Sequence, residues 1–401
     1  MAAIPVQIEK PIPPNSIAFF NLGFRPFFLG GSIFAALAMI WWMLVYFSLV
    51  NLDMQNLSNS QWHAHEMLYG YGLAIVAGFL LTAVKNWTGI QTLHGKSLAT
   101  LFGLWLTARV MFLFGTQMLI YAAIADILFG IGLIIAISIP IIKAKQWRQL
   151  AIINKLLLLS IGNFTFYLGF FDLINHGMTY AIYGATLLFI SLIMMIGRRV
   201  IPFFIERGVG YEVALKQYDW LDKTILLLFF ALFINAIFIN IHFLTAVFAL
   251  SIFILNGFRL YNWHTYGIWH VPLLWGLFVS ACLINIGFLC YGLQEMFALS
   301  TVLIFHIFTI GGIGLMSISM MARVSLGHTG RDIRQAPNLL KIVFGCIAFS
   351  VIFRVFFPLL IVAYHQYWIL ISASFWIIGF TLFAITYAPI LLKQRIDGRF
   401  G

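Results

Sequence analysis

Trp62-His63-Ala64-His65-Glu66-Met67 heads an apolar run that continues without another charge to Val84. At 1.5 Å per residue, a helix over about 63–84 crosses the ~30 Å of a bilayer's hydrocarbon. Two imidazoles and a carboxylate are costly near lipid, rare in spanning segments, and usually turned toward a protein interior. The stretch therefore predicts a membrane helix with a functional site at its head.

The rest of the chain agrees with that reading. Its 401 residues are 62% hydrophobic and 9% charged, with a mean hydropathy of +1.00. A soluble domain carries roughly a quarter charged residues, so the composition predicts an all-α, polytopic membrane protein forming a single integral domain. Met1 to Asn15 holds four prolines and no apolar core of a cleavable signal, so the first spanning helix is expected to direct insertion. The net charge of +11 is spread between apolar runs, which speaks against nucleic acid as a partner and for the lipid bilayer. Cys282, Cys290 and Cys346 have no metal-ligand spacing and read as small buried hydrophobes.

Twelve apolar runs have helical length: about 27–50, 63–84, 97–115, 118–142, 151–174, 178–203, 221–239, 242–259, 268–290, 297–322, 339–363 and 367–392. The odd-to-even connections contain no Lys or Arg. The even-to-odd connections and the termini hold Lys10, Lys85, Lys96, Lys143, Lys145, Arg148, Arg207, Lys216, Arg331, Arg334, Lys393, Arg395 and Arg399. By the positive-inside rule this alternation predicts twelve transmembrane helices with both termini cytoplasmic.

Two basic residues fall well inside spans, Arg109 and Arg354, each ~20 Å from the cytoplasmic edge. Asp126 lies near the same depth, so an Arg109–Asp126 pair is the structural alternative to an anion-binding role for Arg109. Arg354 has no obvious partner in the sequence. It is expected to hold a bound anion, such as a haem propionate or a carboxylate substrate.

His63 and His65 stand two residues apart, about 200° round a helix, and cannot share one face. The expectation is that His65 turns inward and His63 toward the outer surface, with Glu66 accepting from an imidazole N–H. His306 lies in the tenth span at nearly the depth of His65, within ~5 Å. Below it Gly311, Gly312 and Gly314 bare the helix surface, for tight packing or for a flat cofactor. Haem takes axial imidazole ligands from such helices, and His65 with His306 is the expected pair. His270, beside Trp269 and Pro272, reads as an interfacial anchor or a cofactor contact. His328, in Leu326-Gly327-His328-Thr329-Gly330-Arg331, reads as a ligand-gripping turn or a helix cap. Gly197 to Phe204, with Arg198 and Arg199, reads as a site for anionic head groups. His94, His176, His242, His264 and His365 fall in loops or near span ends and read as solvated.

The stretches Asn21-Leu22-Gly23-Phe24-Arg25-Pro26-Phe27-Phe28, Trp62 to Met67, Gly78 to Val84 with Asn86-Trp87-Thr88-Gly89, Arg199 to Phe204, and Arg323 to Arg331 together resemble the NnrS family of bacterial membrane proteins. The resemblance implies a twelve-helix protein of the bacterial inner membrane that contains haem, expected to be of b type, and copper. It also implies a role in the response to nitric oxide and in resistance to nitrosative stress. On that view nitric oxide is the small-molecule ligand, His65 and His306 are axial candidates, His63 is a candidate copper ligand, and the electron donor is unassigned. The chain departs from the family pattern at Lys85, where a proline is usual, and at Leu277-Phe278, where a Leu-His pair is usual.

A secondary transporter of a small anionic or proton-coupled substrate is the competing class, with Arg109, Asp126 and Arg354 as its path. A respiratory haem–copper oxidase is disfavoured, because the chain contains no His-His dipeptide.

Overall fold

The computed structural model describes residues 17–401 apart from 52, 53 and 55. The proline-rich start and its Lys10 lie outside the described residues. Twelve long helices follow in order: α1 (Phe24–Tyr46), α2 (Asn59–Thr88), α3 (Gly95–Phe112), α4 (Thr116–Lys143), α5 (Trp147–Phe170), α6 (Gly177–Gly208), α7 (Asp219–Ile239), α8 (His242–Trp263), α9 (Pro272–Gly292), α10 (Thr301–His328), α11 (Leu340–Leu360) and α12 (Val362–Leu392). Among the described residues there is no β-strand, only an isolated bridge between Ile17 and Lys393.

Each expected apolar run is a helix, but eleven rather than twelve are long and apolar enough to cross a membrane. The exception is α3, the run expected at 97–115. It has 18 residues and includes Lys96, Ser97, Thr100, Thr107 and Arg109. Its polarity follows from its job, because Arg109 is spent on buried carboxylates of neighbouring helices.

The most enclosed helices are α2 and α10, each 78% buried along its apolar window, whereas α7 and α8 are only 28% buried. Side chains on α2 and α10 therefore face protein rather than lipid. One large apolar cluster joins α2 to α8, and another joins α1, α10, α11 and α12. Helix α1 packs along both α2 and α12, so the chain's beginning closes against its end.

That closure is made by hydrogen bonds. Ala18 N donates to Leu392 O (2.8 Å) and Gly95 N to Phe20 O (2.7 Å). Arg25 is fully buried. Its Nη1 donates to the carbonyls of Ile390 (3.3 Å), Leu391 (2.8 Å) and Lys393 (2.7 Å), and its Nη2 to that of Gly401 (2.7 Å). The last carbonyls of a helix have no partner within it, and a guanidinium offers several donors and a charge that suits a helix C-terminus. Nearby, Arg395 donates to His328 O (2.9 Å) and to both carboxylate oxygens of Asp397. Those bonds hold the Asp397 carboxyl well below the usual carboxylate range. Both ends of the described chain thus sit at one end of the bundle, with Lys85 beside them over the Phe400 ring.

Three helices are interrupted by π-helical stretches: Glu66–Gly72 in α2, Ile307–Gly314 in α10 and Ile352–Phe356 in α11. A fourth, Asn235–Ile239, ends α7. A π-helical turn spoils the regular ladder and leaves carbonyls to be satisfied from outside. Trp105 of α3 donates Nε1–H to Gly70 O (2.8 Å), and Ser280 of α9 donates to Gly311 O (2.8 Å) and Gly312 O (3.0 Å). The glycines of α10 serve packing: a Cβ at Gly314 would stand 2.6 Å from the Trp376 ring.

Replacing Arg25 by Leu should free the end of α12 and leave its carbonyls buried. At ~1.5–3 kcal/mol per hydrogen bond to a charged group, the thermal unfolding midpoint in detergent should fall by several degrees. Protease should then reach residues after Leu392 before the rest of the chain.

Candidate functional site

A cavity of about 480 Å³, partly open, lies at the end of the bundle opposite the chain termini. Its wall comes from the last turns of α1 and α11 and the first turns of α2, α6, α10 and α12. Among the described residues lining it are His63, His306, His365 and Arg354, and no Asp or Glu. The site is therefore cationic or neutral, and suits an anion or a ligand taking imidazole nitrogen.

His63 sits in the first turn of α2, which begins with a capping box: Ser58 accepts from Gln61 N, and the Gln61 side chain accepts from Ser58 N. The ring stacks on Trp42 of α1, with centroids 4.5 Å apart and planes 16° apart. Its Nδ1 is buried and has no hydrogen-bond partner. His306 closes the first α-helical part of α10, and its Nδ1 lies 2.6 Å from Val302 O. A carbonyl only accepts, so the proton is on Nδ1 and Nε2 carries the lone pair. Arg354 lies in the π-helical part of α11, and its Nη1 is buried without a partner.

His65 is elsewhere. The expectation that it faces His306 while His63 turns outward is reversed: His63 joins His306, and His65 points to the opposite side of α2. It is fully buried. Its Nδ1 lies 2.9 Å from Glu66 Oε1 and its Nε2 2.9 Å from Asn163 Oδ1. Phe166 and Phe112 pack on its ring at 4.3 and 4.9 Å. Both nitrogens are engaged, so in this arrangement neither is open to a metal. The 200° separation of the two histidines was legible, but which one faced the cavity was not.

Arg109 is likewise withdrawn from the cavity. It donates to Glu66 and to Asp126, and Tyr167 Oη–H donates to the same Asp126 oxygen (2.7 Å). All four side chains are buried. Gly70 admits this guanidinium, since a Cβ there would lie 2.7 Å from Arg109 Nη1. The Arg109–Asp126 alternative is thus the one found, with Glu66 as a second carboxylate that links α2 to α3 and α4.

His328 stands at the far end of α10 from His306, ~33 Å along the helix. Its Nε2 is 3.4 Å from Asn86 Nδ2, and its carbonyl accepts from Arg395. It is part of the clasp between chain ends. His270 is exposed, with its ring edge-on to Tyr266 at 4.9 Å, as an anchor would be. His365, read as solvated, is indeed exposed, and it stands where it also borders the cavity. Nothing in its local sequence marks it; only the return of α12 beside α10 brings it there. Among the described residues no group of three or more His, Cys, Asp or Glu could hold a metal ion.

Comparison with known proteins adds one finding. The family model described as NnrS protein matches residues 18–395, nearly the whole chain. The protein therefore belongs to the NnrS family. No curated protein matches it.

Replacing Arg109 by Met should leave Glu66 and Asp126 buried without a counter-charge. Breaking a buried pair in this way costs ~3–5 kcal/mol, to be read as a large drop in the unfolding midpoint. The double variant Arg109→Met, Asp126→Asn should recover part of that loss.

Proposed function

We propose that this NnrS-family membrane protein holds haem in the cavity between α2, α10 and α11, and acts in the response to nitric oxide and in resistance to nitrosative stress. The observation that carries the reading is the meeting of His63, His306 and Arg354 in one cavity of about 480 Å³. That volume falls within the ~300–1,000 Å³ range of small-molecule and cofactor sites.

The donors fit the group. His306 has its tautomer fixed by Val302 O and presents Nε2 as a ligand. His63 has a buried Nδ1 that no protein group satisfies, and Trp42 holds the plane of its ring. Arg354 offers an unpartnered Nη1 to a propionate carboxylate. Aromatic side chains of Tyr183, Phe305 and Trp376 keep the wall apolar. When bound, haem would supply an iron able to take nitric oxide directly. The fit is poorer for copper, for which the cavity offers His365 as a further imidazole but no clustered ligand set. No role is assigned to copper.

The twelve helices are read as twelve spans in a bacterial inner membrane, with the basic end and both termini in the cytoplasm. The charge alternation supports this, as does the meeting of both chain ends at one end of the bundle. The cavity then lies in the outer half of the membrane. The transporter reading loses Arg109 and Asp126, which neutralise each other away from the cavity.

The test is the visible spectrum of the purified, detergent-solubilised protein, oxidised and reduced. A Soret band is expected, and its absence after expression with adequate haem would overturn the reading. His306→Ala and His63→Ala should each shift or abolish the band, whereas a folded His65→Ala should keep its position. Unchanged spectra in both of the first two would remove the ligand assignment. Arg354→Leu should lower haem retention on gel filtration.

A further inference from the structure

Toward the middle of the bundle from the outer cavity lies a second, smaller one of about 90 Å³, partly open, between α1, α2, α6 and α10. Its wall is almost wholly hydrocarbon, including Phe28, Val76, Phe189, Val200, Ile313 and Met316. The one hydroxyl among the residues lining it is that of Ser317, which already donates to Gly314 O (2.9 Å) and pairs with the Tyr71 hydroxyl.

Size and polarity together limit what this space can take. A buried water makes ~2–4 hydrogen bonds to polar neighbours, and here only one hydroxyl, already engaged, is on offer. An ion would find no charge. Apolar cavities of this kind stay dry and take up apolar molecules, as an engineered one of ~150 Å³ takes xenon or benzene. At about 90 Å³ the occupant has very few atoms.

The position of the chamber gives it a use. Ile313 lines both cavities, and Tyr71 of the outer wall is bonded to Ser317 of the inner one. The two cavities are thus neighbours that share a lining side chain. Transfer of an apolar solute out of water into such surroundings is favourable.

We propose that the inner chamber is a holding site for a small uncharged gas molecule, which exchanges with the outer cavity past Ile313. Occupancy of the chamber stands on its own geometry. The delivery of gas to the outer cavity rests on the haem reading above.

Diffraction from xenon-pressurised crystals of the full-length protein tests the occupancy. A xenon atom is expected among Val76, Ile313 and Met316, lost in Val76→Phe and kept in His306→Ala. Should Val76→Phe fail to fold, Val200→Phe fills the same space from α6. The assignment is overturned if no xenon enters, or if ordered water or a lipid acyl chain occupies the chamber. Stopped-flow mixing with nitric oxide tests the delivery: association should slow in Val76→Phe while the Soret position holds, and an unchanged rate would sever the link. A xenon-filled chamber in a protein without any Soret band would overturn the haem reading and leave the chamber's assignment intact.

Discussion

The setting of the head of α2, at the cavity end of the bundle, depends on one buried interaction, the grip of Arg109 on Glu66 and Asp126. Guanidinium and carboxylates are all out of water, where an unpaired charge is not tolerated. The head of α2 is therefore held at a fixed rotation against α3 and α4. Glu66 lies between the two histidines in bearing, ~100° from His65 and ~60° from His63, so fixing its rotation fixes theirs: His65 reaches the Glu66 carboxylate and His63 borders the cavity. A pair that looks like a surplus of costly groups in the sequence is in fact one histidine bound into the buried ionic network and one that borders the cavity.

The second constraint is the closure of α1 on α12 through Arg25. It brings the last turns of α1 beside the first turns of α12, and so Trp42 and His365 to one cavity. The clasp and the cavity are at opposite ends of the same helices. Residues such as Arg25 and His328 thus belong to the clasp and do not line the cavity.

Helix number and order were legible because apolar runs of spanning length are separated by loops that alternate in charge. The weak point was α3, whose polar residues answer a partner that only the folded chain supplies. Arg109 and Asp126 could be matched by depth, since rise per residue is the same in every helix. Lateral facts were out of reach. Depth brought His65 and His306 to one level, yet their bearings around the helix axes differ, and His65 is enclosed by Asn163 and Phe166 of α5. His365 is exposed, as a residue at a span end should be, but that it also borders the cavity depends on where α12 packs and so was not legible. The glycines of α10 allowed two readings, and the contact with Trp376 decides for packing.

The π-helical stretches have one more consequence. Each amounts to an extra residue in an otherwise regular helix, and an extra residue turns everything beyond it by ~100°. His63 and His306 lie on the outer side of such insertions in α2 and α10, and Arg354 lies within one in α11. The bearing of the outer turns is thereby uncoupled from that of the inner turns, which are committed to close packing. These helices carry two independent angular settings along one axis, and a chain that lost a single residue at either insertion would keep its inner core while swinging an imidazole out of the cavity.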